Sequence, residues 1–285
     1  MGFKLSSTLL KEEIQNNIRD EILKLSHKFH IKPKLLLVRV GERIEDTSYE
    51  KAINSNCQKL GIDCQIIVLD KMVSQTELET VIIQANDNDD IHGIMVFRPL
   101  PAPLDITKIS EIINPQKDVD CMSYYNLEKI FTNREVVLTP CTALATIKLL
   151  EYYQIALKGK RVCVVGASMV VGKPLAMMFL DRFATVTLCH IYTENLKMIT
   201  KEADIVVVAI GNAKFFTREY FKSDAVVIDI GVSLDKNNQR SGDVDYDDVF
   251  ENVKALTPLT NGIGSLTTTL LMNNILISYK KMIVC

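Results

Sequence analysis

The sequence predicts an α/β fold in two domains, and three observations carry that expectation. Strand-like apolar runs alternate with helix-like periodicity through the first hundred residues. The alternation stops at Pro99, Pro101 and Pro103 and an irregular stretch, then starts again after residue 158. A length of 285 residues accommodates two domains of ordinary size.

The elements follow in order. Apolar residues at 14, 18, 22, 25 and 29 give residues 8–30 helical spacing. KLLLVRV (34–40) reads as a buried strand. In TSYEKAINSNCQKLG (47–61), Thr47 or Ser48 can cap a helix that turns Cys57 and Leu60 to a core. CQIIVLD (64–70) is a second strand. SQTE (74–77) is a capping box, and Leu78, Val81, Ile82 and Ala85 continue its helix. HGIMVF (92–97) is a third strand, followed by a short helix over 106–113 and an irregular stretch. Thr142 in TPCT (139–142) can cap a helix through Tyr153. KGKR (158–161) is a turn before the strands RVCVV (161–165), TVTLC (185–189), DIVVVAI (204–210) and AVVIDI (225–230). DKNNQRSG (235–242) is a polar loop, and residues 267–282 read as an amphipathic helix. The boundary falls near 140–150, giving domains 1–141 and 142–266 and a C-terminal helix, 267–285, that packs back on the first domain.

The formal charge of −2 gives no electrostatic pull toward nucleic acid or an anionic membrane. No apolar run reaches the roughly 18 residues of a membrane span, and the charged N-terminus is unlike a signal peptide. Seven cysteines, an odd number without C-x-x-C spacing, read as reduced and buried in a cytoplasmic protein. The four histidines do not cluster with them, so no metal site is expected.

VCVVGASMVVGKP (162–174) is the most informative local motif. A strand ends at Gly166, a tight turn follows, and a helix begins near Val171–Gly172 with Pro174 in its first turn. Such a turn aims backbone N–H groups and a helix dipole at a phosphate. It is not a full G-x-G-x-x-G, because Ser168 replaces the second glycine and Val171 stands at the third. Dinucleotide binding and an ordinary strand-to-helix turn both remain open on this motif alone. The next strand ends at Cys189-His190, with neither the acid expected for a free ribose nor the base expected for a 2′-phosphate. His190 could approach a ribose or adenine, or be a packed, partly buried histidine.

VRVG…Y (38–49), FRPLP (97–101), KDVDCMSYYN (117–126), TPCT (139–142), GKRVCVVGASMVVGKP (159–174), ATVTLCH (184–190), ADIVVVAIG (203–211), AVVIDIG (225–231), GDVDY (242–246) and LTPLTNGIGSLT (256–267) fall in a collinear order. Together they resemble the bifunctional methylenetetrahydrofolate dehydrogenase/cyclohydrolase family. The resemblance implies two α/β domains flanking a cleft, the second a Rossmann-type dinucleotide-binding domain. It implies NAD or NADP as cofactor, a tetrahydrofolate derivative as substrate and a homodimer. It places substrate contacts at Tyr49, Pro99, Leu100, Asp120 and Gly262. It places cofactor contacts at Thr142, Gly166, Ala167, Ser168, Val171, Gly172, His190, Gly211, Gly231 and Thr267.

Several positions depart from the family pattern. The catalytic lysine, one helical turn after Tyr49, is Ile53, and Lys51 leaves on the opposite helix face. The glutamine of V-Q-L-P-L-P, which bonds that lysine, is Phe97. Arg98 is its neighbour on a strand and is expected to point to the other side. Asp120, the aspartate that bonds the pterin, matches, but the glycine after it is Cys121. The loop P-G-G-V-G-P-M-T has become TNGIGSLT. The arginine and serine that meet the 2′-phosphate of NADP are Ala167 and Ile191, which favours NAD. Isoleucine and phenylalanine cannot move a proton, so the cyclohydrolase step is expected to be weak or absent. Three readings follow: a dehydrogenase with little cyclohydrolase, a silent relative that binds folate, nucleotide or protein, and an enzyme for another substrate.

Overall fold

The computed structural model describes residues 2–134 and 138–284; Cys285 lies outside them. In chain order the elements are β1 (Phe3–Lys4), α1 (Thr8–Phe29), β2 (Lys34–Val40), α2 (Ile44–Leu60), β3 (Asp63–Leu69), α3 (Gln75–Asp87), β4 (Gly93–Val96), α4 (Ile106–Ile112), α5 (Tyr124–Thr132) and α6 (Cys141–Tyr152). There follow β5 (Arg161–Val165), α7 (Gly172–Leu180), β6 (Thr185–Cys189), α8 (Leu196–Glu202), β7 (Ile205–Val208), β8 (Val226–Asp229), β9 (Ser233–Leu234), β10 (Arg240–Ser241), α9 (Tyr246–Val249), β11 (Ala255–Leu256) and α10 (Ile263–Val284).

The chain divides into two α/β units, each made of two separate segments. One comprises Glu12–Cys141 and Thr268–Cys285. Its three-stranded parallel sheet has the order β3-β2-β4. β2 is the central strand, and all its residues after Lys34 are buried, as a parallel strand covered on both faces requires. Leu36, Val38 and Val40 pack with Ile94 and Val96 of β4 and with Leu78, Ile82 and Ala85 of α3. The Ser74 capping box forms as the sequence indicates. Three polar side chains of α10 pin that helix to loops of this unit: Asn274 donates to the Val119 and Thr139 carbonyls, Ser278 to His92 and Gln116, and Tyr279 to Ile31.

The other unit comprises Met1–Lys11 and Thr142–Thr267. Its six strands are all parallel, in the order β1-β11-β8-β7-β5-β6. Numbered from β5, this is the doubly wound order 2-1-3-4-5 extended at one edge by β1. Val206 and Val208 of β7 and Val227 of β8 centre its core, with Phe216, Phe221 and Val249 packed around them.

Several elements differ from the sequence expectation. The first eleven residues group with the six-stranded unit rather than with the N-terminal one, because β1 adds to the edge strand β11. α2 starts at Ile44 with Arg43 as its N-cap, so Thr47 and Ser48 lie inside it. The acidic Glu45 and Asp46 in its first turn complement the helix dipole instead of a hydroxyl cap. Thr142 likewise lies inside α6, which begins at Cys141. Residues 124–132, expected to be irregular, form α5, capped by the Ser123 hydroxyl. α10 is not amphipathic: Leu270, Leu271, Met272, Asn274, Ile275, Ser278 and Tyr279 are all buried, and Asn274, Ser278 and Tyr279 donate to backbone carbonyls. Among the described residues, no helix is long and apolar enough to cross a membrane.

Candidate active site

Tyr49 and Ile53 stand one turn apart on the same face of α2. Ile53 is fully buried, and Phe97, just past the end of β4, is 3% exposed. Phe97 meets the Tyr49 ring edge-on, with centroids 6.1 Å apart. Ile53 and Phe97 are thus both buried side chains beside Tyr49. Apolar side chains at both positions leave no buried polar group without a partner, which is why this pair is tolerated. Lys51 is exposed on the opposite face of α2 and cannot stand in for a lysine at 53. Burial pushes the Tyr49 phenol well above its usual pKa; the Asp120 and Cys141 charges add to this, while a bond to the Thr268 side chain and the Arg98 charge oppose it. Tyr49 thus stays a neutral donor at any physiological pH.

Asp120 does not stand alone. Its carboxylate pairs with the Arg98 guanidinium, and the two side chains are 18% and 20% exposed. The expected orientation of Arg98 fails because β4 ends at Val96. Residues 98–99 form a bend, where strand alternation no longer dictates direction. Beneath the pair sits Asp118, with no exposure at all. Its oxygens accept from the Met122 and Ser123 N–H groups and the Asn126 amide, and burial raises its pKa despite these bonds. Asp118 therefore fixes the turn that carries Asp120. Cys121, at the family's glycine position, has φ of 57°, the left-handed region in which a side chain costs about 1–2 kcal/mol. Sequence reading missed Arg98, Asp118 and Thr268; the Asp-x-Asp spacing and the Ser123 cap were the available signals. Pro99 is exposed, and its carbonyl accepts from Arg43, while Leu100 packs beside the β4 core. Gly262 belongs to the six-stranded unit, where an added Cβ would lie 2.1 Å from the Pro258 carbonyl.

In the six-stranded unit, the chain reverses direction across the sheet between β5 and β7, the switch point at which doubly wound sheets bind ligands. Gly166 follows β5 with φ of 118°, and an added Cβ would stand 2.3 Å from the Ala209 carbonyl at the end of β7. Gly172 opens α7, and its Cβ would fall 1.6 Å from the Gly166 carbonyl. The two glycines thus let backbone approach backbone and leave a cradle at the start of a nine-residue helix. Ser168 shapes the turn: its hydroxyl accepts from Val171 N–H and its carbonyl from Lys173 N–H. Ala167 is half-buried and carries no charge. These features fit a dinucleotide phosphate.

The remaining expected contacts are less uniform. Gly211 has φ of 67°, and its N–H, with those of Ile210 and Asn212, donates to the Asp243 carboxylate. Gly231 donates to Asp229, whose pKa burial and the neighbouring Asp243 charge push up to about 7 against the backbone N–H bonds it accepts. His190 is exposed rather than packed, and its Nδ1 accepts from Tyr192 N–H. Ile191 is 86% exposed. The Thr142 carbonyl accepts from the Thr146 hydroxyl inside α6, and the Thr267 hydroxyl donates to Ile263 inside α10. Arg182 pairs with Glu151 and Lys197 with Glu219, both at the surface.

Comparison with known proteins gives a consistent result. Residues 5–120 match the family profile described as tetrahydrofolate dehydrogenase/cyclohydrolase, catalytic domain, and residues 140–283 match that of its NAD(P)-binding domain. The chain is 43% identical over 271 residues to bifunctional protein FolD 1 of Desulfitobacterium hafniense, covering 95% of this chain and 96% of the relative. It is 44% identical over 263 residues to bifunctional protein FolD of Clostridium botulinum, covering 92% and 93%. A crystal structure of the bifunctional FolD methylenetetrahydrofolate dehydrogenase/cyclohydrolase of Campylobacter jejuni superposes with a TM-score of 0.95 at 32% identity, covering 99% of both chains. The chain belongs to the tetrahydrofolate dehydrogenase/cyclohydrolase family.

Proposed function

We propose that this chain is a methylenetetrahydrofolate dehydrogenase whose cyclohydrolase step is weak or absent. The observation that carries the reading is the burial of Ile53 and Phe97 at the two positions where the family places a proton-carrying lysine and its glutamine partner. General acid–base help is worth roughly 10²–10⁴ in rate, and neither side chain can supply it.

Hydride transfer makes a different demand, because orientation rather than proton transfer limits it. A nicotinamide, when bound, accepts the hydride from the methylene carbon. In this reading Gly166, Ser168 and Gly172 hold the dinucleotide phosphates at the N-terminus of α7, and Asp120 takes the pterin edge. Tyr49, a neutral donor beside Phe97, orients the ring. NAD is preferred over NADP, since Ala167 and Ile191 offer a 2′-phosphate no charge. Family resemblance extends the proposal to a cytoplasmic homodimer, which light scattering on the purified chain checks.

The ion pair between Arg98 and Asp120 favours a second reading, a relative that no longer turns over folate. One assay separates the two: ultraviolet absorbance of methenyltetrahydrofolate, followed with NAD and NADP in parallel. The dehydrogenase reading expects the methenyl band to grow faster with NAD and then to persist at the buffer hydrolysis rate. Enzyme-dependent decay of the band would restore the cyclohydrolase, and absence of the band with both nucleotides would favour the silent relative.

A further inference from the structure

We propose that Arg98 is the specificity-determining residue of the folate face: its guanidinium occupies the Asp120 carboxylate and competes there with the pterin. This inference rests on the reading that Asp120 is the pterin's acceptor. Arg98 stands at the second position of the FRPLP segment, where the family motif V-Q-L-P-L-P has a leucine that cannot bond a carboxylate.

The competition is geometric. A 2-amino-4-oxo pterin offers a carboxylate a planar fork of two N–H donors on one N–C–N unit. A guanidinium offers the same fork and adds a full positive charge. Arg98 Nη2 donates to Asp120 Oδ2, so a pterin that forks both carboxylate oxygens must displace it. Asp118 holds the turn that carries Asp120 through its bonds to Met122, Ser123 and Asn126. Among the described residues, Asp120 is the one carboxylate within ion-pair distance of Arg98. The two side chains remain 20% and 18% exposed, so water reaches the pair and the arginine can be displaced into solvent. Competition therefore lowers pterin affinity without abolishing it. The site selects for ligands that either displace the guanidinium or bring an acceptor of their own to it.

The test is calorimetry on the full chain with 5-formyltetrahydrofolate as the probe, on wild type, Arg98→Leu, Arg98→Gln, Asp120→Ala and Arg98→Leu combined with Asp120→Ala. Circular dichroism confirms that each variant is folded. Both neutral variants at 98 are expected to bind about tenfold more tightly than wild type, ~1.4 kcal/mol. The gain is expected to vanish in the Asp120→Ala background, where there is nothing to compete for. If Asp120→Ala weakens binding while neither neutral variant at 98 tightens it, competition is overturned and the folate reading stands. An equal gain with and without Asp120 overturns it as well, because the effect then does not pass through the carboxylate. If no folded variant binds the probe, the competition and the folate reading fall together.

Discussion

Replacing Ile53 with lysine tests directly whether the family's catalytic position has become core. Ile53 is fully buried on α2. Removing its side chain from apolar surroundings forfeits about 1.5–3 kcal/mol. The incoming amine cannot stay charged there, since burial lowers a lysine pKa by roughly 3–5 units. Holding it neutral at pH 7, against an unfolded pKa of about 10.4, costs about 4–5 kcal/mol at ~1.36 kcal/mol per unit. Together these approach the whole stability of an ordinary domain, about 5–15 kcal/mol. The sign of the pH dependence follows. Between the lowered folded pKa and about 10.4 the unfolded state binds more protons, so stability rises with pH by up to ~1.4 kcal/mol per unit. Urea melts of Ile53→Lys and wild type at pH 7, 8 and 9 read this out as a steadily narrowing gap. Adding Phe97→Gln supplies an acceptor to the neutral amine, a bond worth about 0.5–1.5 kcal/mol; it also restores the family's lysine–glutamine pair. A single variant within about 0.5 kcal/mol of wild type and flat with pH would be typical of a surface site, and would refute the burial argument.

Three further outcomes are expected. Gly172→Ala drives a Cβ into the Gly166 carbonyl, 1.6 Å away, so it should weaken NAD binding at least tenfold (~1.4 kcal/mol) by calorimetry; unchanged affinity would mean the turn holds no phosphate. Asp229 has its pKa raised to about 7, so the folded state binds the extra proton from about pH 4 upward and stability from this group is lost as pH rises toward 7. Urea melts across that range should show a decline in wild type that Asp229→Asn flattens, and an identical slope in both would count against it. Ser74→Ala removes the hydroxyl of an intact capping box and should cost about 1 kcal/mol in the same assay, with no effect on nucleotide binding.

The strands of this chain were legible because their residues are nearly all apolar and sharply bounded. KLLLVRV, RVCVV and TVTLC match β2, β5 and β6 residue for residue. Helix starts were less legible. A hydroxyl in the sequence does not reveal whether a charged first turn begins the helix earlier, as Glu45 and Asp46 do for α2. α5 was hidden because its exposed face carries Tyr124, Tyr125 and Phe131, which blur the polar–apolar contrast. At the site, the absent lysine and glutamine and the surviving Asp120 could be read directly. The orientation of Arg98 could not, because it depends on where β4 ends, a boundary set by the proline-rich turn and not by any residue's own preference. Nor could the burial of Ile53, which is a property of everything packed around α2.

The pairing of β1 with β11 joins Phe3 to Ala255, and the companion unit likewise needs α10 from the far end of the chain. During synthesis, then, the usual order of an N-terminal domain folding first is closed to this protein. At roughly 5–20 residues per second, the first strand emerges from the ribosome some tens of seconds before its partner exists. Until then the nascent chain carries an unfinished core in each half, with apolar strands that have no permanent cover. Neither unit can complete its fold until the residues from Ala255 onward have been made.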